Sequence, residues 1–119
     1  MKTKVKHLQV KLSPTGKVSV RMSRFVNSLF QETNKLYFEI QHDRGVFVRL
    51  SNKRQWLYNL MIVAVLERPF QLSRKNAHQD YIRLQLTKAE ALAVVIAIAH
   101  SSSAYMIELK AEILKAVAI

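Results

Sequence analysis

The chain lacks cysteine altogether and has only two glycines and two prolines among 119 residues. Without thiols there is no disulfide framework, no thiolate nucleophile and no zinc–thiolate site, which fits a reducing, intracellular setting. Long apolar runs are missing too. The longest, Leu60 to Leu66 and Ala91 to Ala99, fall far short of the ~20 residues that cross a bilayer. The basic start leads into alternating polar and apolar residues, so no signal peptide is expected there. Acids are scarce: eight Asp and Glu stand against 19 Lys and Arg, a net charge of +11.

That charge is unevenly placed. Met1 to Leu60 holds twelve Lys and Arg against three acids, and Met61 to Ile119 holds seven against five. Lys2, Lys4, Lys6, Lys11, Lys17, Arg21 and Arg24 all precede the first acid, Glu32. Such a surface repels itself unless a polyanion neutralises it, which points to nucleic acid. Half of the residues are apolar, so a single domain of this length can bury a core without metal or disulfide help.

Each glycine closes a turn of the same kind. Ser13-Pro14-Thr15-Gly16 and His42-Asp43-Arg44-Gly45 suit type I turns with glycine at the left-handed position, and each predicts a hairpin. In the first, Ser13 pairs with Lys17, Leu12 with Val18, Val10 with Val20 and Leu8 with Met22. One face is then wholly apolar and the other carries His7, Gln9, Lys11, Lys17, Ser19, Arg21 and Ser23, a separation that a one-residue slip would destroy. The second hairpin pairs His42 with Val46, Ile40 with Val48 and Phe38 with Leu50, leaving Tyr37, Glu39, Gln41, Phe47, Arg49 and Ser51 outside.

Between the hairpins, Phe25, Val26, Leu29 and Phe30 have helical spacing but also suit a continued strand, so residues 25–33 stay open. Residues 56–66 are apolar on all sides; Ile62, Val63 and Val65 tilt them slightly towards a buried strand, with Asn52 as a cap should they be helical. Pro69 is expected to end that element. Tyr81 to Leu86 alternates as a strand with Ile82, Leu84 and Leu86 on one face, and Thr87-Lys88-Ala89-Glu90 reads as a capping box. The helix it opens, Lys88 to about Ala99, is apolar nearly all round and needs cover from more than one element. Ser101 to Ser103 break it before a last helix from about Ala104 to Val117. The two helices are expected to pack as a hairpin on the apolar face of the sheet, leaving apolar surface for a second subunit.

Catalysis has little support. The only aspartates, Asp43 and Asp80, sit in a turn and a polar loop without paired-carboxylate spacing, and the His42-Asp43 and His78/Asp80 neighbours suggest no third ligand or nucleophile. His100 suits a helix end, and Gly16-Lys17 lacks the rest of a phosphate loop. The expectation is a protein that is not an enzyme and holds no cofactor or metal. The basic face carries the functional signal, with Lys11, Lys17, Arg21, Arg44, Arg49, Lys53 and Arg54 as phosphate contacts and Tyr37 and Phe47 as rings on which bases stack. Rings beside cations suit single strands better than duplex, where bases are hidden. Trp56 and Tyr58 fit the core at least as well as this platform.

The order of hairpin, hairpin, further strands and capped helix resembles the unit shared by the Whirly and Pur-alpha single-stranded DNA-binding families. Tyr81 to Leu92 looks like the last strand and helix start of a Whirly protein. Lys35 to Ile40, Asp43-Arg44-Gly45 and Val46 to Leu50 look like a Pur hairpin. The likeness covers about half the chain, without the Lys-Gly-Lys-Ala stretch of plant Whirly proteins or a second repeat of the unit. It implies a curved antiparallel sheet that binds single-stranded DNA or RNA as an oligomer, through Tyr37, Arg44, Phe47 and Arg49.

The expected fold is therefore α+β: one domain over residues 1–119, an antiparallel sheet built from hairpins in 1–86 and a helical hairpin in 87–119 that serves as core and oligomer interface. The expected partners are single-stranded nucleic acid and further copies of the chain, a dimer or larger, with no membrane partner. The alternative is a protein-interaction module, a small inhibitor or assembly subunit, docking on an acidic protein.

Overall fold

The computed structural model of the chain describes residues 7–43 and 53–118. Its first hairpin follows the pattern of side chains. β1 (Leu8–Leu12) and β2 (Val18–Ser23) are antiparallel, with Leu8 opposite Met22, Val10 opposite Val20 and Leu12 opposite Val18. The turn closes through Ser13 N–H to the Lys17 carbonyl at 2.8 Å and Gly16 N–H to the Ser13 carbonyl at 2.9 Å. Gly16 sits at φ 87°, the left-handed conformation that a side chain resists.

β2 passes without a loop into α1 (Arg24–Asp43). Ser23 Oγ accepts from the Val26 amide at 3.2 Å, taking up one of the amides that a first helical turn leaves unpaired. The open question over residues 25–33 is thus answered by a helix, and the helix continues through 37–43, where the first arm of a second hairpin was expected. Alternation over five residues is degenerate with helical spacing when the apolar stripe starts earlier. Val26, Phe30 and Tyr37 are buried, with Leu29 and Phe38 half-buried beside them, a stripe that only a helix presents to one side. The Asp43-Arg44-Gly45 turn and the arm from Val46 to Ser51 extend beyond or lie outside the described residues.

The apolar run 56–66 is also helical, within α2 (Lys53–Lys75), and Pro69 lies inside that helix instead of ending it. The slight β preference of Ile62, Val63 and Val65 does not prevail, and in the helix these three are half-buried beside the fully buried Leu66. Interior hydrogen bonds beyond Pro69 help hold its last turns. Buried Asn27 of α1 donates Nδ2 to the Ser73 carbonyl at 3.2 Å, Gln31 donates Nε2 to the same carbonyl at 3.1 Å, and Ser73 Oγ bonds Asn27 Oδ1.

β3 (Tyr81–Leu86) returns to pair antiparallel with β2, giving the order β1-β2-β3. Ile82, Leu84 and Leu86 are buried as the alternation requires. The capping box is present: Glu90 N–H donates to Thr87 Oγ1 at 3.1 Å, and Thr87 N–H donates to Glu90 Oε1 at 2.9 Å. It opens α3 (Lys88–Ile98), which packs against α1, α2 and α4. α4 (Ala104–Val117) buries Met106, Leu109, Ile113 and Ala116 and packs on α3 and β1. The protein is α+β, a three-stranded antiparallel sheet with helices on one face. Residues 1–86 are not mainly sheet, because α1 and α2 occupy much of them and join the two C-terminal helices in covering it.

One buried group is poorly provided for. Asn34 of α1 is fully buried, and neither Nδ2 nor Oδ1 has a hydrogen-bond partner among the described residues. An unsatisfied buried polar group costs about 1–3 kcal/mol. Asn34→Leu is therefore expected to raise the stability by about that amount, and Thr87→Ala to lower it by about 1 kcal/mol. Chemical denaturation of the two variants checks both signs; an unstable Asn34→Leu variant would show that the amide is satisfied after all.

Candidate nucleic-acid interface

Strand parity sorts the sheet into two faces. Even-numbered residues meet the helices. The odd-numbered residues stand on the other side, in rows set by the register: Gln9, Arg21 and Arg83 in one, and Lys11, Ser19 and Gln85 in the next. Tyr81 and Ser23 share a further row, and Ser23 N–H bonds the His7 carbonyl at 2.8 Å. No Asp or Glu occupies an odd-numbered position of the three strands. Lys17 extends the same polarity at the turn.

Lys11, Lys17 and Arg83 are exposed, while Arg21 on the central strand is half-buried. The Arg21 guanidinium carbon lies 4.5 Å from the Tyr81 ring centroid, a cation–π contact that holds the ring against the face. Among the described residues none of these four cations is ion-paired; the pairs present are Arg24–Asp80 at 3.3 Å, Arg68–Glu90 at 2.7 Å and Lys115–Glu112 at 3.8 Å. Arg21 stands directly opposite Arg83. Like charges so placed cost on the order of 0.2–1 kcal/mol, and a bound polyanion would remove that cost.

Four rings gather at the end of the sheet that carries Tyr81: Phe25 and His7 are exposed, Tyr81 and Tyr105 half-buried. Phe25, in the first turn of α1, is 57% exposed and meets Tyr105 of α4 edge-on at 5.4 Å between centroids. His7 contacts the same Tyr105 at 6.2 Å. Arg24 fixes this corner by bonding the Asp80 carboxylate at 3.3 Å and the carbonyls of His78 and Gln79. A shallow groove between α1 and α2 is lined by Ser28, Gln31, Glu32, Lys35, Phe70 and Arg74. It mixes both charge signs and has a single carboxylate, so it offers no acid–base pair. Among the described residues no three His, Asp or Glu side chains are grouped to hold a metal.

Of the residues expected to form the site, Lys11, Lys17 and Arg21 share the open face. Tyr37 does not. It is 8% exposed, belongs to the core and packs edge-on to Phe38, because α1 turns it inwards where a strand would have turned it out. Arg44, Phe47 and Arg49 lie outside the described residues. Lys53 and Arg54 open α2 and so belong to a helix rather than to the sheet. Tyr81 and Arg83 were overlooked although the alternation of 81–86 already placed them opposite Ile82 and Leu84; the missing information was that β3 lies beside β2. Phe25, Tyr105 and His7 had no such signal, since three distant segments bring them together.

No family model, no curated protein and no solved structure matches the chain. The segment likened to a Pur hairpin is helical from Lys35 to Asp43, and the segment likened to a Whirly junction is a strand followed by a capped helix.

Two substitutions test the face assignment through stability alone. Tyr37→Ala is expected to cost about 3 kcal/mol as a core truncation. Arg83→Glu is expected to stabilise by a few tenths to about 1 kcal/mol at low salt, by turning a like-charge pair into an opposite one. Thermal melts at low and high salt measure both, and the second effect should fade as salt screens it.

Proposed function

We propose that the protein is a non-catalytic single-stranded nucleic-acid-binding protein that lays the strand across the open sheet face. The observation that carries this reading is the acid-free row in which Arg21 and Arg83 face each other with no counter-ion among the described residues. Lys11 and Lys17 continue the cationic track along the hairpin. Phosphates would lie over these side chains and release condensed counterions as they bind.

The rings favour a single strand. Tyr81 on the face, with Phe25, Tyr105 and His7 at the adjoining corner, offers flat apolar surface to bases that a duplex keeps inside its stack. A three-stranded sheet is also broader than the helix or two-stranded ribbon that a major groove admits.

Fluorescence anisotropy with labelled single-stranded and duplex oligonucleotides of one sequence tests the reading. The single strand should bind more tightly, with log Kd against log salt showing a slope of roughly 0.7 per phosphate contact, reduced by about that amount in Arg83→Ala. Phe25→Leu, an exposed change, should weaken single-strand binding by about 1–3 kcal/mol and leave the salt slope unchanged. An affinity indifferent to salt, or tighter binding of duplex, overturns the proposal; salt-dependent capture of a polyglutamate in preference to the oligonucleotide would point to an acidic protein instead.

A further inference from the structure

α4 is apolar on two sides. Met106, Leu109, Ile113 and Ala116 face the core. On the far side Ala104, Ile107, Ala111 and Leu114, with Ala118 at the C-cap, are all exposed, Ile107 at 56% and Leu114 at 40%. Their spacing alternates three and four residues, the pattern of a helix that meets another helix along a seam. Polar residues border this stripe: Glu108 and Lys115 on one side, Lys110 on the other.

We infer that the stripe is the interface of a homodimer in which two α4 helices pack antiparallel about a two-fold axis at Ala111. The charges choose this arrangement. An isologous contact makes every pairing occur twice, and on antiparallel helices a given flank meets the same flank of the other copy. With the axis at Ala111, Glu108 comes within one residue's rise, about 1.5 Å along the axis, of the partner's Lys115, and Lys115 equally of the partner's Glu108, which long side chains span. The same register sets the two small Ala111 side chains face to face, where the helices approach most closely, and brings Ile107 within about 1.5 Å along the axis of the partner's Leu114. A parallel pair would lose the double ion pair. Lys115 is free to reorient, being 76% exposed and only 3.8 Å-paired to Glu112 within its own helix. Lys110 meets its own copy on the other flank, a like-charge contact that limits the affinity.

α4 packs on the helix side of β1 and β2, so its outer stripe points away from the cationic face. Two copies joined there carry their open sheets on opposite outer surfaces. The inference therefore stands or falls independently of nucleic-acid binding. One helix pair offers less than the ~800 Å² per partner of a standard interface, so the dimer should be weak, with Kd on the order of 10–100 μM.

Sedimentation velocity of the full chain across about 5–500 μM reads the equilibrium directly. The wild type should pass from monomer to dimer. Ala111→Glu, at an exposed position that leaves the circular dichroism unchanged, should raise Kd by about 100-fold or more by placing two carboxylates at the axis. Glu108→Lys and Lys115→Glu should each raise Kd about 3- to 30-fold, and the double reversal should return it close to the wild-type value. A wild type that stays monomeric overturns the inference and leaves the stripe to a different partner. A dimer that survives Ala111→Glu also overturns it and moves the interface elsewhere, such as the exposed Leu57, Leu60 and Met61 of α2. Failure of the double reversal to restore association overturns the antiparallel register.

Discussion

The pairing of β2 with β3 is the contact on which the remaining structure depends. An isolated two-stranded ribbon is marginal in water, and a third strand gives its apolar face enough width to be covered. β3 arrives from the far side of two long helices. It sets Val18, Val20 and Met22 beside Leu86, Leu84 and Ile82, and these side chains form the floor against which the helices pack. The same register, read on the other face, sets Arg21 beside Arg83. Core and cationic surface are two sides of one alternation, so neither can shift by a residue without the other.

The helices bring different demands. α3 is rich in small residues, with Ala91, Ala93 and Ala97 buried, and can sit close to three neighbouring helices at once. α1 and α2 instead use polar groups in their shared interior: the Asn27, Gln31 and Ser73 bonds are satisfied, whereas Asn34 is not. Buried hydrogen bonds add less net stability than apolar contacts but restrict how two helices can slide. The Arg21–Arg83 row is a second place where the fold tolerates an unfavourable contact. At a surface that contact is inexpensive, because water and salt screen it.

Much of the fold was legible along the chain, and what was legible had a local cause. The first hairpin follows from Gly16 and strict alternation on both arms. The start of α3 follows from Thr87 and Glu90, whose reciprocal hydrogen bonds need only four residues. The break at Ser101 to Ser103 and the span of α4 follow likewise. The stretch from Tyr37 to Gln41 was misleading because its five residues satisfy period two and period 3.6 equally, and the arbiter, Val26 and Phe30 further back, belongs to the same helix only if residues 25–33 are helical as well. Pro69 misled for a related reason: the penalty it imposes is local, whereas the buried bonds that offset it come from α1.

The candidate site divides in the same way. That Lys11, Lys17 and Arg21 lie together on a polar face is a property of one hairpin, encoded in the alternation of its own consecutive side chains. That Tyr81 and Arg83 join them, that Tyr37 leaves for the core, and that Phe25, Tyr105 and His7 meet at one corner depend on which strand lies beside β2 and on how α1 and α4 sit against the sheet. Periodicity assigns a side chain to a face of its own element; it carries no record of the neighbour that element will choose, because that choice is made by burial summed over the whole domain.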